Sequence, residues 1–414
     1  MLIPELLAPA GDLEKLRFAY IYGADAAYIG GGEYSLRLNT GFDLPGIAEA
    51  VDLAHSMGKK LYVAVNSFLR NKDMDRLPQY LQELSGIAPD ALILSDPGVF
   101  ALAKEYAPNI PLHISTQSNI TNWRSAQMWH DLGAQRVILS RELSLDEAAE
   151  ISERAGIETE IFIHGAMCIS YSGRCLLSNY LAGRDANQGA CTHPCRWKYS
   201  VVEETRPGEY MPVYENERGT YIFNSKDLCM IEHIPDLLSA GIDSLKIEGR
   251  MKTALYVATV ARTYRKAIDD YQKDPELYQQ NMDWYRDQIS NCTYRQFTTG
   301  FFYGKPDQEA QIYDSNTYMK EYTYLGIVEE ITPDGYCRIE QKNKFSLGET
   351  IEIMKPDGRN VEVQVDEIRD QEGTPMDSAP HPKQQLLIKF GSGAEGTSAP
   401  EVYDILRRKE EERF

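Results

Sequence analysis

Hydrophobic and polar positions over the first 250 residues fall into a repeating two-part pattern. Short apolar runs at 3–8 (IPELLA), 26–30 (AAYIG), 60–65 (KLYVAV), 91–94 (ALIL), 111–115 (PLHIS), 136–140 (RVILS), 159–163 (TEIFI) and 244–248 (SLKIE) have the length and composition of buried strands. Most are followed by Gly, Asp, Asn or Ser and then by apolar residues at helical spacing, as in Leu13 to Tyr22 after Gly11 and Asp12. Strand–helix alternation predicts an α/β fold with a parallel sheet covered by helices. Eight such strands predict a closed (β/α)8 TIM-like barrel. An open doubly wound sheet is disfavoured, because no GxGxxG follows the first strand.

Between the seventh and eighth strands lie 80 residues in place of a short crossover. This cysteine-bearing insertion, at about 165–225, is expected to include a hairpin of 198–203 with 220–224. Long insertions in barrels usually belong to the functional face. Residues 254–290 read as helical, with Tyr256, Val260, Tyr264, Ile268 and Tyr271 on one face. From 321 to 407 the period becomes strand-like, punctuated by Pro333–Asp334–Gly335 and Pro356–Asp357–Gly358, which predicts a small antiparallel β-barrel. Residues 371–383, rich in Pro and Gly, read as a flexible loop. The expected division is a barrel domain over 1–305 and a small barrel over 318–410.

Composition narrows the classes. With 43% hydrophobic and 25% charged residues, the chain can offset the ordering entropy of folding, which excludes disorder throughout. No apolar run approaches the ~20 residues of a membrane span, and the N-terminus lacks the pattern of a signal peptide, so a cytoplasmic protein is expected, with no membrane partner. The net charge of −19 argues against broad, nonspecific phosphate binding.

Seven cysteines is an odd number, and four of them crowd into 168–195. Cys168 and Cys175 are separated by Ile, Ser, Tyr, Ser, Gly and Arg, while Cys191 and Cys195 flank Thr, His and Pro. Core cysteines are normally dispersed through buried strands, whereas these sit where no core needs them. Four thiolates on a loop can close on zinc or hold an iron–sulfur cluster, and the wide spacing favours the cluster, with zinc as the alternative. Cys229 is a fifth candidate that could replace Cys191 or Cys195. A CxxxCxxC arrangement is excluded by Lys198.

Strand alternation places polar side chains in the barrel lumen, which ordinarily holds Val, Ile and Leu. Lys246, Glu248 and Arg250 share one face; so do Glu160, Phe162 and His164, and His113, Ser115 and Gln117, while Asn66 and Glu142 fall at two further strand ends. Inward charges cost several kcal/mol each unless paired, so the lumen reads as a polar site opening at the strand C-termini. The competing reading is a structural ion-pair network such as Lys246 with Glu160, of which the deep Glu160 is the first candidate. His164, Glu142, Glu248 and Arg250 are the candidate catalytic residues, and Asn66, His113, Gln117, Arg141 and Lys246 the candidate substrate-binding ones. Arg174, Arg184, Arg196, Lys198, Lys226, Lys246, Arg250 and Lys252 cluster near the insertion and the eighth strand, which suggests an anionic substrate. Tyr171, Tyr180 and Trp197 could stack on a base. Hydrolase signatures are missing: no histidine is followed by Glu, and no GxSxG occurs.

The segment EIFIHGAMCISYSGRCLLS at 160–178 resembles the signature of the collagenase-like peptidase family of unknown catalytic type. ELLAPAGD at 5–12, GADAAYIGG at 23–31, NSKDL at 224–228 and SLKIEGRMK at 244–252 are similar to further hallmarks, so the resemblance runs nearly end to end. Members of that family include enzymes that hydroxylate RNA bases or ubiquinone precursors without molecular oxygen, binding a [4Fe-4S] cluster through four cysteines. The length and C-terminal barrel are most similar to members that act on tRNA. The resemblance therefore implies conversion of wobble uridine to 5-hydroxyuridine, with prephenate as a small anionic cosubstrate whose carboxylates pair with Arg141 or Arg250. It also implies Cys168, Cys175 and Cys191 as cluster ligands, with Cys195 or Cys229 as the fourth. The C-terminal module resembles the small barrel of translation factors such as elongation factor Tu, which is compatible with RNA contact. Given the acidic chain, a partner protein supplying part of the tRNA surface is a further expectation. The alternatives are a collagenase-like peptidase, or a hydroxylase of another RNA or of a small aromatic substrate.

Overall fold

The structure, a computed structural model, describes residues 3–36, 41–168, 170–197, 200–202, 210–212, 226–292, 296–304, 322–391 and 399–410 of the 414. All eight expected strands form. They are β1 (Glu5–Pro9), β2 (Ala26–Gly31), β3 (Lys60–Val65), β4 (Ala91–Leu94), β5 (Leu112–Ile114), β6 (Arg136–Ile138), β7 (Glu158–Ala166) and β8 (Ser244–Ile247). Each pairs in parallel with its neighbour in sequence order, and β8 pairs with both β1 and β7, which closes the barrel. Apolar residues dominate β2 and β4, where both faces are covered and every residue is buried. Each fully buried aliphatic side chain contributes roughly 1.5–3 kcal/mol of transfer free energy. Helices begin where the sequence supplies caps, as at Ser144, whose hydroxyl accepts from Glu147 N–H while the Glu147 carboxylate accepts in return from Ser144 N–H. Among the described residues no helix is long and apolar enough to cross a membrane.

The insertion departs from expectation in one element. Ser200–Val202 pairs antiparallel with Tyr210–Pro212, so the hairpin closes earlier than 220–224, a stretch outside the described residues. The Pro207–Gly208 dipeptide of the sequence lies between the two strands and is the nearer turn signal. The chain then returns as Asp227–Cys229, which adds antiparallel to β7 and pairs in parallel with Phe297–Thr298.

Residues 253–294 group with the small C-terminal barrel, while 295–318 group with 24–252, so the compact units divide differently from the expected 1–305 and 318–410. Hydrogen bonds of the helix Ala254–Lys273 to the small barrel accompany the grouping. This helix buries Tyr256, Val260, Tyr264 and Ile268, and within this unit its Arg262 donates to the Lys355 carbonyl at 2.8 Å. The helical stretch is also not continuous. It breaks at Asp274–Pro275, where proline lacks an N–H and holds its predecessor extended, and Asp274 then caps the next helix by accepting from Glu276 N–H. Six strands, Tyr322–Ile331, Cys337–Gln341, Thr350–Met354, Asn360–Arg369, Gln385–Phe390 and Ile405–Lys409, form a closed antiparallel barrel around Leu325, Ile339, Ile353 and Ile388. The expected loop at 371–383 is partly ordered: Ser378–Ala379 pairs with Phe345–Ser346.

Candidate functional site

A cavity of about 260 Å³ opens at the C-terminal ends of the barrel strands, where TIM barrels carry their sites. Ten of the fourteen residues singled out in the sequence line it: Asn66, Gln117, Arg141, Lys246, Glu248, Arg250, Cys168, Cys175, Cys191 and Cys195.

The floor is Lys246. Its ammonium lies 2.6 Å from Glu160 Oε1 and 4.3 Å from the centre of the Tyr28 ring. Below it the charges continue: Glu160 to Arg136 at 3.2 Å, Arg136 to Glu5 at 2.6 Å, and Tyr62 donating to Glu5 at 2.6 Å. The structural reading of Glu160 is therefore right for the deep layer, while Lys246 belongs to both layers. Burial pushes the Lys246 amine below its ordinary value, with Glu160 opposing.

The walls hold the arginines. Arg141 Nη1 donates to the Ala166 carbonyl at 2.6 Å, and its guanidinium lies 3.7 Å from the centre of the Phe162 ring. The Arg141 Nε is buried with no hydrogen-bond partner among the described residues, and so is Gln117 Oε1. Arg250 is 5% exposed and donates to the Leu36 carbonyl. One buried guanidinium, one half-buried one and an ammonium around one small cavity make it a receptor for carboxylate or phosphate oxygens.

The cysteine loop forms the lid of this wall. It is docked by two glycines of the signature. A Cβ on Gly165, at φ +107°, would lie 2.6 Å from the Glu248 carbonyl oxygen; one on Gly173, at φ +73°, would lie 2.4 Å from that of Gln117. Only glycine permits both the left-handed backbone and the approach. Gly173→Ala should strain the loop by about 1–3 kcal/mol and raise the rate at which iodoacetamide alkylates Cys175 in the metal-free protein roughly tenfold. An unchanged rate would contradict this docking. Within the loop, Thr192 N–H donates to Ser178 Oγ at 3.0 Å, Asn187 donates to the Cys175 carbonyl at 3.1 Å, and His193 N–H donates to Cys191 Sγ at 3.4 Å.

Cys168 reaches solvent, yet burial of its thiol pushes it above the ordinary value, opposed by a backbone hydrogen bond at Ser170 and by Arg141; the Cys175 and Cys191 thiols are near enough to push it further up. Among the described residues no group of three or more His, Cys, Asp or Glu side chains is placed to hold a metal ion. The donor chemistry nonetheless fits a thiolate-held group: four cysteines on one wall, a backbone N–H already aimed at one sulfur, and Arg141 beside them to balance negative charge.

Four of the singled-out residues stand outside the lining. His113 lies beneath the floor against the Tyr62 ring, 4.9 Å between centres, where burial and the charges of Arg136 and Lys246 hold it neutral. Alternation placed His164 beside Phe162 in the lumen, but the β7–β8 register shifts between Lys246 and Ile247, next to the left-handed Gly165. His164 packs instead near Phe297, 5.6 Å between ring centres, and burial followed by Lys252 pushes it down to about 3. Glu142 sits behind the cysteine loop near Ser172, its carboxyl raised by burial. Cys229 pairs through its backbone with His164. Sequence reading missed Tyr28, the aromatic face above which Lys246 rests. The period-two pattern of AAYIG, which aims Tyr28 inward, is the signal that could have found it.

A family model described as Peptidase family U32 matches residues 11–312, and one described as Peptidase family U32 C-terminal domain matches 320–407. Over 389 residues the chain is 42% identical to tRNA hydroxylation protein P1 of Bacillus subtilis (strain 168), covering 94% of this chain and 91% of that protein. It is 38% identical over 422 residues to tRNA hydroxylation protein P of Escherichia coli (strain K12), covering 92% of each. A 23S rRNA 5-hydroxycytidine synthase of Escherichia coli (strain K12) is 37% identical over 265 residues, 64% of this chain and 39% of that protein. On both halves of its length, and with the cysteine signature at the cavity wall, the chain belongs to peptidase family U32.

Proposed function

We propose that this protein is an RNA-modifying hydroxylase whose substrate is tRNA, converting the wobble uridine to 5-hydroxyuridine without molecular oxygen, with a [4Fe-4S] cluster and with prephenate as cosubstrate. The observation that carries this reading is the convergence of Cys168, Cys175, Cys191 and Cys195 with Lys246, Glu248 and Arg250 on one cavity. The names of the relatives supply the reaction class, since two of them are called tRNA hydroxylation proteins and a third an rRNA hydroxycytidine synthase.

Replacing C–H by C–OH on a pyrimidine removes two electrons from the base; the exchange balances if the alcohol of prephenate gives up its hydroxyl, its C–O bond breaking and its carbon taking the hydrogen and the two electrons, and an iron–sulfur cluster held by Cys168, Cys175, Cys191 and one further cysteine would supply the electron transfer. The chain's own residues do the rest. Arg141 and Arg250 bind the carboxylates of the cosubstrate, Lys246 adds a third positive charge at the floor, and Glu248 stands at the rim as a proton acceptor. The exposed Tyr171 on the cavity lining, with the exposed Tyr180 and Trp197 outside it, offers stacking faces to unpaired bases, which suits a loop of tRNA better than a duplex. Residues 165–197 carry three arginines against one aspartate in a chain of net charge −19, so the local field favours an anion.

The test is nucleoside mass spectrometry of tRNA from a deletion strain grown without oxygen. Loss of 5-hydroxyuridine and its derivatives, restored by the wild-type gene, is the expected result; an unchanged profile would overturn the reading. The ligand set is decided separately by counting iron and sulfide in Cys195→Ser and Cys229→Ser. One variant, not both, should lose the cluster, and the shared cavity wall supports Cys195.

A further inference from the structure

We propose that a second pocket, beside the barrel mouth, binds a backbone phosphate of the RNA next to the nucleotide being modified; the inference rests on the RNA reading above. This pocket, of about 240 Å³, follows β3 and is lined by Tyr34, Ser67, Lys72, Asp73, Arg76 and Gln188, among others. Lys72 and Arg76 are exposed, four residues apart, and neither has a carboxylate partner among the described residues. Asp73, the acid in the lining, is engaged locally, accepting from Arg70 N–H at 2.9 Å. A second and independent feature lies at the base of the pocket. Ser67 is 3% exposed, and its hydroxyl has no hydrogen-bond partner among the described residues. A buried hydroxyl left without a partner costs free energy that a phosphate oxygen would recover.

Position makes the pocket part of the same substrate's path. Asn66 and Asn187 line the main cavity, whereas the next residues in the chain, Ser67 and Gln188, line this one. The two segments are tied together by Phe68 N–H donating to the Asn187 carbonyl at 3.0 Å and by Gln188 donating to the Phe68 carbonyl at 3.4 Å. Consecutive residues on both segments therefore line the two pockets, which makes the pockets immediate neighbours. A nucleotide whose base enters the main cavity leaves its flanking phosphates outside it, on the side where this pocket lies. Two cations and a hydroxyl match the negative charge and the acceptors of one phosphate diester.

The experiment compares iron-loaded wild type with Lys72→Ala/Arg76→Ala and with Ser67→Ala, measuring tRNA affinity by fluorescence anisotropy across a potassium chloride series. The double variant should bind about tenfold more weakly, with the slope of log affinity against log salt reduced by about 1, as expected for one lost phosphate contact. Its iron content and its half-saturating prephenate concentration should match wild type. The charge-conserving Lys72→Arg/Arg76→Lys should bind like wild type. Wild-type binding with an unchanged slope in the double variant overturns the proposal and leaves the hydroxylase reading standing. An unchanged slope with a raised half-saturating prephenate concentration also overturns it, and reassigns the pocket to the cosubstrate. Failure of wild type to bind tRNA at all overturns the RNA reading itself, and this proposal with it.

Discussion

Cys168→Ser is expected to leave a folded protein that holds little iron or sulfide and hydroxylates tRNA at least on the order of 100-fold more slowly than wild type. Removing groups that merely support a metal's ligands already costs about 10–100-fold in affinity or activity, and a ligand itself stands at or beyond the upper end. Cys168 is the pivot of the set, since both the Cys175 and the Cys191 thiols act on it and Arg141 lies beside it. Folding should survive, because Cys168 follows the end of β7 on a solvent-reaching loop and contributes nothing to the barrel core. Iron and acid-labile sulfide counts, the thermal midpoint and the rate of nucleoside formation together check this. Full activity in the serine variant would show that the cysteine wall has no part in the chemistry.

The second large effect falls on stability. Glu160 is fully buried between Lys246 and Arg136, so Glu160→Ala strands an ammonium at the cavity floor and takes one partner from a guanidinium. Breaking a buried pair from one side costs about 3–5 kcal/mol. The control is Glu150→Ala, which removes an exposed pair with Arg154 one helical turn away and should cost no more than about 0.5 kcal/mol. Urea midpoints of the metal-free proteins measure both; equal midpoints would contradict the account of the lumen. The same network sets an acid limit. Burial alone would raise the Glu5 carboxyl, but Arg136 and the Tyr62 hydroxyl outweigh it and hold it below 4.5. A carboxylate depressed on folding stabilises the protein above its unfolded value, and that contribution is lost as pH falls through the lowered folded value. Stability should therefore hold from neutrality down to about pH 4.5 and decline below it.

The barrel was legible because parallel strands buried on both faces are written as uninterrupted apolar runs, and β2 and β4 follow that rule to the last residue. Lys246 and Glu160 were legible for the opposite reason: charges inside such runs need each other. Alternation failed at His164, where a register shift opposite β8 turns the strand, a property of two strands together that neither segment carries alone. The crowding of cysteines was visible along the chain, but their docking was not. It depends on Gly173 meeting the Gln117 carbonyl, 56 residues away in sequence. Grouping of the helix Ala254–Lys273 with the C-terminal unit was likewise hidden, since its tyrosine face states that it packs and not against what.

The cavity is proposed to hydroxylate RNA through a group held by its cysteines. The most direct measurement incubates purified, iron-reconstituted protein with prephenate and with tRNA from the deletion strain, under strict exclusion of oxygen, and analyses the nucleosides by mass spectrometry. The account predicts a uridine heavier by one oxygen atom with wild type and none with Cys168→Ser. If iron-loaded wild type yields no such nucleoside yet cleaves a collagen-like peptide, the hydroxylase account is wrong and the peptidase description of the family applies to this chain.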